Sequence, residues 1–153
     1  MKRVLFLVLA LALLLSVAGC GAKPKTIDMD ALAKELAGAK IYDDILSQMP
    51  DGMTERFYSM DNGDVVRSIL YYGTGATAEE ICILQCTDEK AAAKAEANAH
   101  THIENQKTSF KNYVPAEIPK LDNAVVEVSG VYVIVVVSKD ASTAQSIINK
   151  YTK

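Results

Sequence analysis

The side chains able to do chemistry in this 153-residue chain include three cysteines, two histidines and 19 carboxylates, so metal binding and thiol chemistry come first. Glu96, His100 and Glu104 are spaced i, i+4, i+8, which puts them on one helix stripe, where carboxylate and imidazole side by side bind zinc weakly. A structural or catalytic zinc site takes three or four converging ligands, and here Lys107 and Lys111 continue the same stripe. It reads better as a solvated face with i, i+4 ion pairs, leaving Glu96, His100 and Glu104 as weak metal candidates. Cys82 and Cys86 lie in EEICILQC. Four residues apart in a strand means about 13 Å, beyond the ~7 Å that a disulfide spans. They read as buried thiols, with a metal or redox pair as the alternative. Cys82 with His100 or His102 would form a thiol–imidazole pair, but a thiol in the middle of an apolar strand is inert. No serine sits in G-x-S-x-G, and no phosphate-binding glycine motif occurs. No catalytic residue and no cofactor is assigned.

The third cysteine belongs to a different kind of segment. Lys2 and Arg3 are followed by an unbroken apolar run at residues 4–15, too short for a helix crossing a ~30 Å hydrocarbon core but suited to an export signal. Val17-Ala18-Gly19-Cys20 resembles the bacterial lipobox, an aliphatic residue and two small ones before a cysteine. The resemblance implies diacylglycerol on the Cys20 thiol, cleavage between Gly19 and Cys20, and Cys20 as the lipidated mature N-terminus. Two acyl chains hold a protein stably where one holds it marginally, at ~0.8 kcal/mol per buried CH₂. The alternatives are an ordinary secretory signal and an uncleaved anchor helix. Residues 1–19 are thus expected to be a signal peptide, 20–25 a lipidated, flexible tether, and 26–153 one globular domain.

Removing residues 1–19 from the 153 leaves 134, and removing their two cations from the 16 leaves 14 against 19 acids, a formal charge of −5. A mildly acidic surface argues against a nucleic-acid partner and against a polybasic membrane grip. The length suits one core and is short for a two-lobed transport receptor.

The elements that must position these groups follow from periodicity. Met29, Leu32, Ala33 and Leu36 predict a helix capped by Thr26 or Asp28 and ending near Gly38; residues 41–49 read as a further short helical segment. Residues 53–60, with Thr54 as a cap, lie between the turns Pro50-Asp51-Gly52 and Asp61-Asn62-Gly63-Asp64. Residues 65–72 and 80–86 are strand-like and joined by a glycine-bearing loop, so they should pair antiparallel. Thr87 or Asp88 caps a long helix to about Asn112, with Ala92, Ala95, Ala99, Ile103, Gln106 and Phe110 on its inner stripe. Residues 124–128 and 131–137 flank Ser129-Gly130 as a second hairpin. The run at 131–137 is apolar on both faces and should be a central strand. Asp140 or Ser142 then caps a helix with Ile147, Ile148 and Tyr151 inside. The expected fold is α+β: a four-stranded antiparallel sheet of two hairpins with helices packed on one face, preceded by one or two short helices.

Gly75-x-x-Ala78-Glu79-Glu80-Ile81, Gln106-x-x-x-Phe110-x-x-Tyr113-x-Pro115, Leu121-x-Asn123-Ala124-Val125-Val126, Gly130-x-Tyr132-Val133 and Ser138-x-Asp140 together resemble the domain-of-unknown-function family numbered 4358. The resemblance covers about Met29 to Lys150. It implies an architecture and an address, since members are mainly small lipoproteins of Gram-positive anaerobes, and it brings no activity, ligand or catalytic residue.

Tyr71, Tyr72 and Tyr113, at a strand end and a helix end, offer a possible binding surface, with edge packing as the simpler reading. The expected function is a lipid-anchored module on the extracytoplasmic face of the cell membrane, binding an envelope protein or ligand without catalysis. The alternative is a small envelope hydrolase or metal-dependent enzyme.

Overall fold

The computed structural model describes residues 26–50, 52–61 and 63–153. The expected signal peptide, Cys20 and the tether lie outside the described residues, as do Asp51 and Asn62 of the two expected turns. The protein is α+β, with a five-stranded antiparallel sheet in the order β1-β2-β3-β5-β4. In chain order the elements are helix α1 (Met29–Gly38), β1 (Ser47–Gln48), α2 (Met53–Phe57), β2 (Val65–Tyr72), β3 (Glu80–Cys86) and α3 (Glu89–Tyr113). A 3-10 turn (Pro115–Glu117), α4 (Ile118–Asp122), β4 (Val125–Ser129), β5 (Tyr132–Val137) and α5 (Ala141–Thr152) complete it.

Both expected hairpins form: β2 pairs with β3 and β4 with β5, and the two hairpins join through β3 and β5. β5 is buried along its whole length between two neighbours, which accounts for its unbroken apolar run. The β4–β5 connection is Gly130-Val131 rather than Ser129-Gly130, because Ser129 pairs with Tyr132 and the glycine supplies a φ of 59°. Asp28, Asp88 and Asp140 cap α1, α3 and α5 through their carboxylates.

Three further expectations are corrected. The sheet has five strands, not four: residues 41–49 are not helical, and Ser47–Gln48 pairs with Tyr71 and Tyr72 as a short edge strand. Helices cover both faces, not one. Leu70, Cys82, Leu84, Val133 and Val135 pack with the alanine stripe of α3, while Ile69, Ile81, Ile83, Ile134 and Val136 pack with α1 and α5. A sheet whose inner strands are apolar on both sides must be covered on both. Finally, α2 begins after Gly52, in a left-handed conformation with φ 82°, and has no side-chain cap; Thr54 is inside the helix and buried.

The sheet gives the molecule two ends. At one lie the Asp28 cap, the loop before β2, the start of α3 and the Gly130 hairpin, tied by the Cys86 N–H to Val131 O bond and by Thr87 N–H to Asp64 O. At the other lie Asp43, the loop of residues 73–79, Tyr113, the 3-10 turn and Lys139.

Candidate functional site

Two glutamates stand side by side at the start of β3, and both are fully buried. Because adjacent side chains of a strand face opposite ways, they meet different partners. Glu79 accepts the Asp43 N–H at 3.0 and 2.9 Å and the Asp44 N–H at 2.9 Å, and pairs with Lys120 Nζ at 2.9 Å. Lys120 also reaches Asp43 and Glu117, each at 3.0 Å, and Glu117 accepts the Ala78 N–H at 2.9 Å. Lys139 donates to Asp43 at 2.6 Å. Asp44 takes the Thr74 N–H and hydroxyl, both at 2.8 Å. This network pulls residues 42–44 out of any helix and pins them to the loop before β3. Burial works against the Lys120 ammonium, but hydrogen bonds to Glu79, Asp43 and Glu117 outweigh it and raise its pKa above the ordinary lysine value. Hydrogen bonds from Lys139 and Lys120 hold the Asp43 carboxyl below its usual range.

Glu80 looks into the α3 side. Tyr58 OH donates to Glu80 Oε1 at 3.0 Å, and His102 Nε2 lies 3.1 Å from the carboxylate. The Tyr58 and His102 rings stack at a centroid distance of 4.7 Å, with Phe57 edge-on at 6.3 Å. Burial disfavours the imidazolium, yet the bond to Glu80, its charge and a bond to the Phe57 backbone leave the His102 pKa above the ordinary histidine value. Tyr58, desolvated and facing Glu80, is pushed well up and stays a phenol donor. The Cys82 thiol shares this face; burial first and the Glu80 charge second raise its pKa well above the usual value, so it is not a thiolate nucleophile. Burial likewise pushes Cys86 up to about 11. Both thiols are free, and both are buried as expected.

The sequence-derived candidates do not converge. Glu96 is half-buried, His100 and Glu104 are exposed, and Glu104 pairs with Lys107 at 2.9 Å. Among the described residues no group of three or more His, Cys, Asp and Glu side chains is placed to hold a metal ion. Tyr71 OH donates to Gln48 at 3.3 Å, Tyr72 packs on Phe57 at 5.2 Å and accepts from Gln106, and Tyr113 is 69% exposed beside Phe110. No ring contact joins the three. Sequence reasoning missed Tyr58, Glu79, Glu80, Glu117 and Lys120. Two acids directly before an apolar strand were the available signal, together with His102 flanking Ile103 on the inner stripe.

The family model described as Domain of unknown function (DUF4358) matches residues 40–138. The chain belongs to this family. The DUF4358 match takes in both glutamates with Asp43, Asp44, Tyr58, His102, Glu117 and Lys120, and leaves α1 and α5 outside. No curated protein and no solved structure matches the chain. Among the described residues no helix is long and apolar enough to cross a membrane.

Proposed function

We propose that this DUF4358 protein is a lipoprotein of the extracytoplasmic membrane face, anchored through Cys20, that serves as a non-catalytic binding module of the cell envelope. The observation that carries the proposal is Val17-Ala18-Gly19-Cys20 after a short apolar run, eight residues ahead of the Asp28 cap of α1. Five residues between Cys20 and Thr26 span at most about 18 Å. The domain would therefore stand with the Asp28 and Gly130 end toward the bilayer and the Asp43, Tyr113 and Lys139 end outward. Gly75, Tyr113, Pro115 and Asn123 of the family resemblance are exposed at that outward end, which supports its use as a contact surface. A hydrolase or metal-dependent enzyme would need Cys82, Glu96 or His100 to converge, and Cys82 is buried while His100 is exposed.

Metabolic labelling with a fatty-acid analogue, followed by membrane fractionation, tests the anchor. Cys20→Ala should abolish the label and either release the protein or leave it as an uncut precursor. Membrane-bound, correctly cut Cys20→Ala protein would overturn the proposal.

A further inference from the structure

The outer edge of β2 is only partly paired, because β1 covers it at Tyr71 and Tyr72 alone. One more bond, from Met49 N–H to Leu70 O at 2.8 Å, continues that pairing before Pro50 ends it. Among the described residues no strand lies on the outer side of Val65, Val66, Arg67 and Ser68. Since Leu70 turns its carbonyl outward, the two-residue period of an antiparallel ladder turns the Ser68 N–H and C=O outward as well.

Beside this open edge are two adjoining hollows of about 430 and 400 Å³, both lined by Gly52 and Glu55; the second is also lined by Gln48, Val66, Arg67 and Ser68. Glu55 carries an orphan oxygen: its Oε2 is buried and has no hydrogen-bond partner among the described residues. The neighbouring Arg67 pairs with Asp30 at 2.6 Å. A buried acceptor left unpaired is destabilising, and a ligand that brings a donor or a cation recovers that loss.

We infer that the open edge of β2 and the hollow at Glu55 form a docking site for an extended, basic peptide segment of a partner protein. The segment would add as a further strand against Ser68, which supplies sequence-independent main-chain bonds, and set a Lys or Arg side chain on Glu55, which supplies the selectivity. Charge favours such a partner over a second copy of this chain: the domain from Cys20 onward carries a net charge of −5 by residue count, being 14 cations against 19 acids. The bulge between Val65 and Arg67 limits the pairing to a short stretch, so selectivity rests on the single carboxylate. This site lies on the flank of the sheet toward the Asp28 end, apart from the outward contact surface, and stands or falls separately from the Cys20 anchor.

The test is selection of a displayed library of random octapeptides on the full chain held in detergent, repeated with Glu55→Gln and Ser68→Pro. Proline at Ser68 removes an outward N–H and leaves the β3 ladder in place; far-UV circular dichroism and a urea midpoint confirm that each variant is folded. Enriched peptides should alternate β-branched residues around one Lys or Arg. Glu55→Gln should cut the preference for the basic residue at least fivefold, and Ser68→Pro should lower the affinity of enriched peptides for the folded variant at least tenfold. Enrichment without a basic preference, a preference unchanged by Glu55→Gln, or no enrichment at all overturns the inference. So does concentration-dependent dimerisation abolished by Ser68→Pro, which would give the edge to a second copy.

Discussion

Glu79 and Glu80 are neighbours in sequence and equally buried, yet each is neutralised in its own way. Glu79 is held by three backbone N–H contacts and by Lys120, a cation at every physiological pH. Glu80 is held by a phenol and by His102, whose charge is itself conditional. The first arrangement fixes loops at the rim; the second joins α2 and α3 across the sheet. The difference teaches that a buried carboxylate is defined by what faces it and not by its depth, because removing one partner of a buried pair leaves a bare charge.

The strongest way to break the comparison is a carboxylate with no partner at all. Val135 is fully buried on the same side as Glu80, opposite Cys82. Val135→Asp is expected to lose at least about 4 kcal/mol in urea unfolding, and near wild-type stability would mean this face tolerates an unpaired charge. Lys120→Met comes next. It leaves Glu79 and Glu117 buried without their shared cation and should cost about 3–5 kcal/mol.

The third effect separates the two sites by pH. His102 has a folded pKa raised above its unfolded value, so the folded state binds more protons and stability falls as pH rises between the two. The stability lost in His102→Gln should be greatest below the ordinary histidine value, about 6.5, and shrink as pH climbs through the raised folded value. The loss in Lys120→Met should stay level over the same span, since the Lys120 pKa is raised from a value already far above it. Urea midpoints of the three proteins between about pH 5.5 and 8.5 decide it; parallel curves would mean that His102 is not the proton-dependent partner of Glu80. The smallest effect is expected from Glu96→Ala, His100→Ala and Glu104→Ala together. Each should shift stability by less than about 0.5 kcal/mol, and a zinc-dependent rise in melting temperature lost in the triple variant would restore the metal reading.

Patterns with a period were legible in the sequence; partnerships across distance were not. The two hairpins, the Asp88 cap and the Ala92, Ala95 and Ala99 stripe follow from residues within one turn or one strand. The second helical layer was half legible, because residues 131–137 show two apolar faces, and two apolar faces need two covers. Residues 41–49 misled because their local pattern suits a helix, while Asp43 and Asp44 give their N–H groups to Glu79, about 35 positions away. The Tyr58, Glu80 and His102 contact spans three elements, and no spacing rule links them.

The adjacency of the two glutamates also bears on how the sheet assembles. If β3 zipped against β2 and β5 one position out of phase, every side chain would change faces. In a run of isoleucine, leucine and valine such a slip would put apolar groups against apolar groups and meet little resistance. Here it would turn Glu79 toward the alanine stripe of α3 and carry Glu80 away from Tyr58 and His102, stranding two charges in oil. The Glu79-Glu80 step therefore acts as an alignment mark for an otherwise slippery strand, and discriminates correct from shifted pairing before any surface is available for binding.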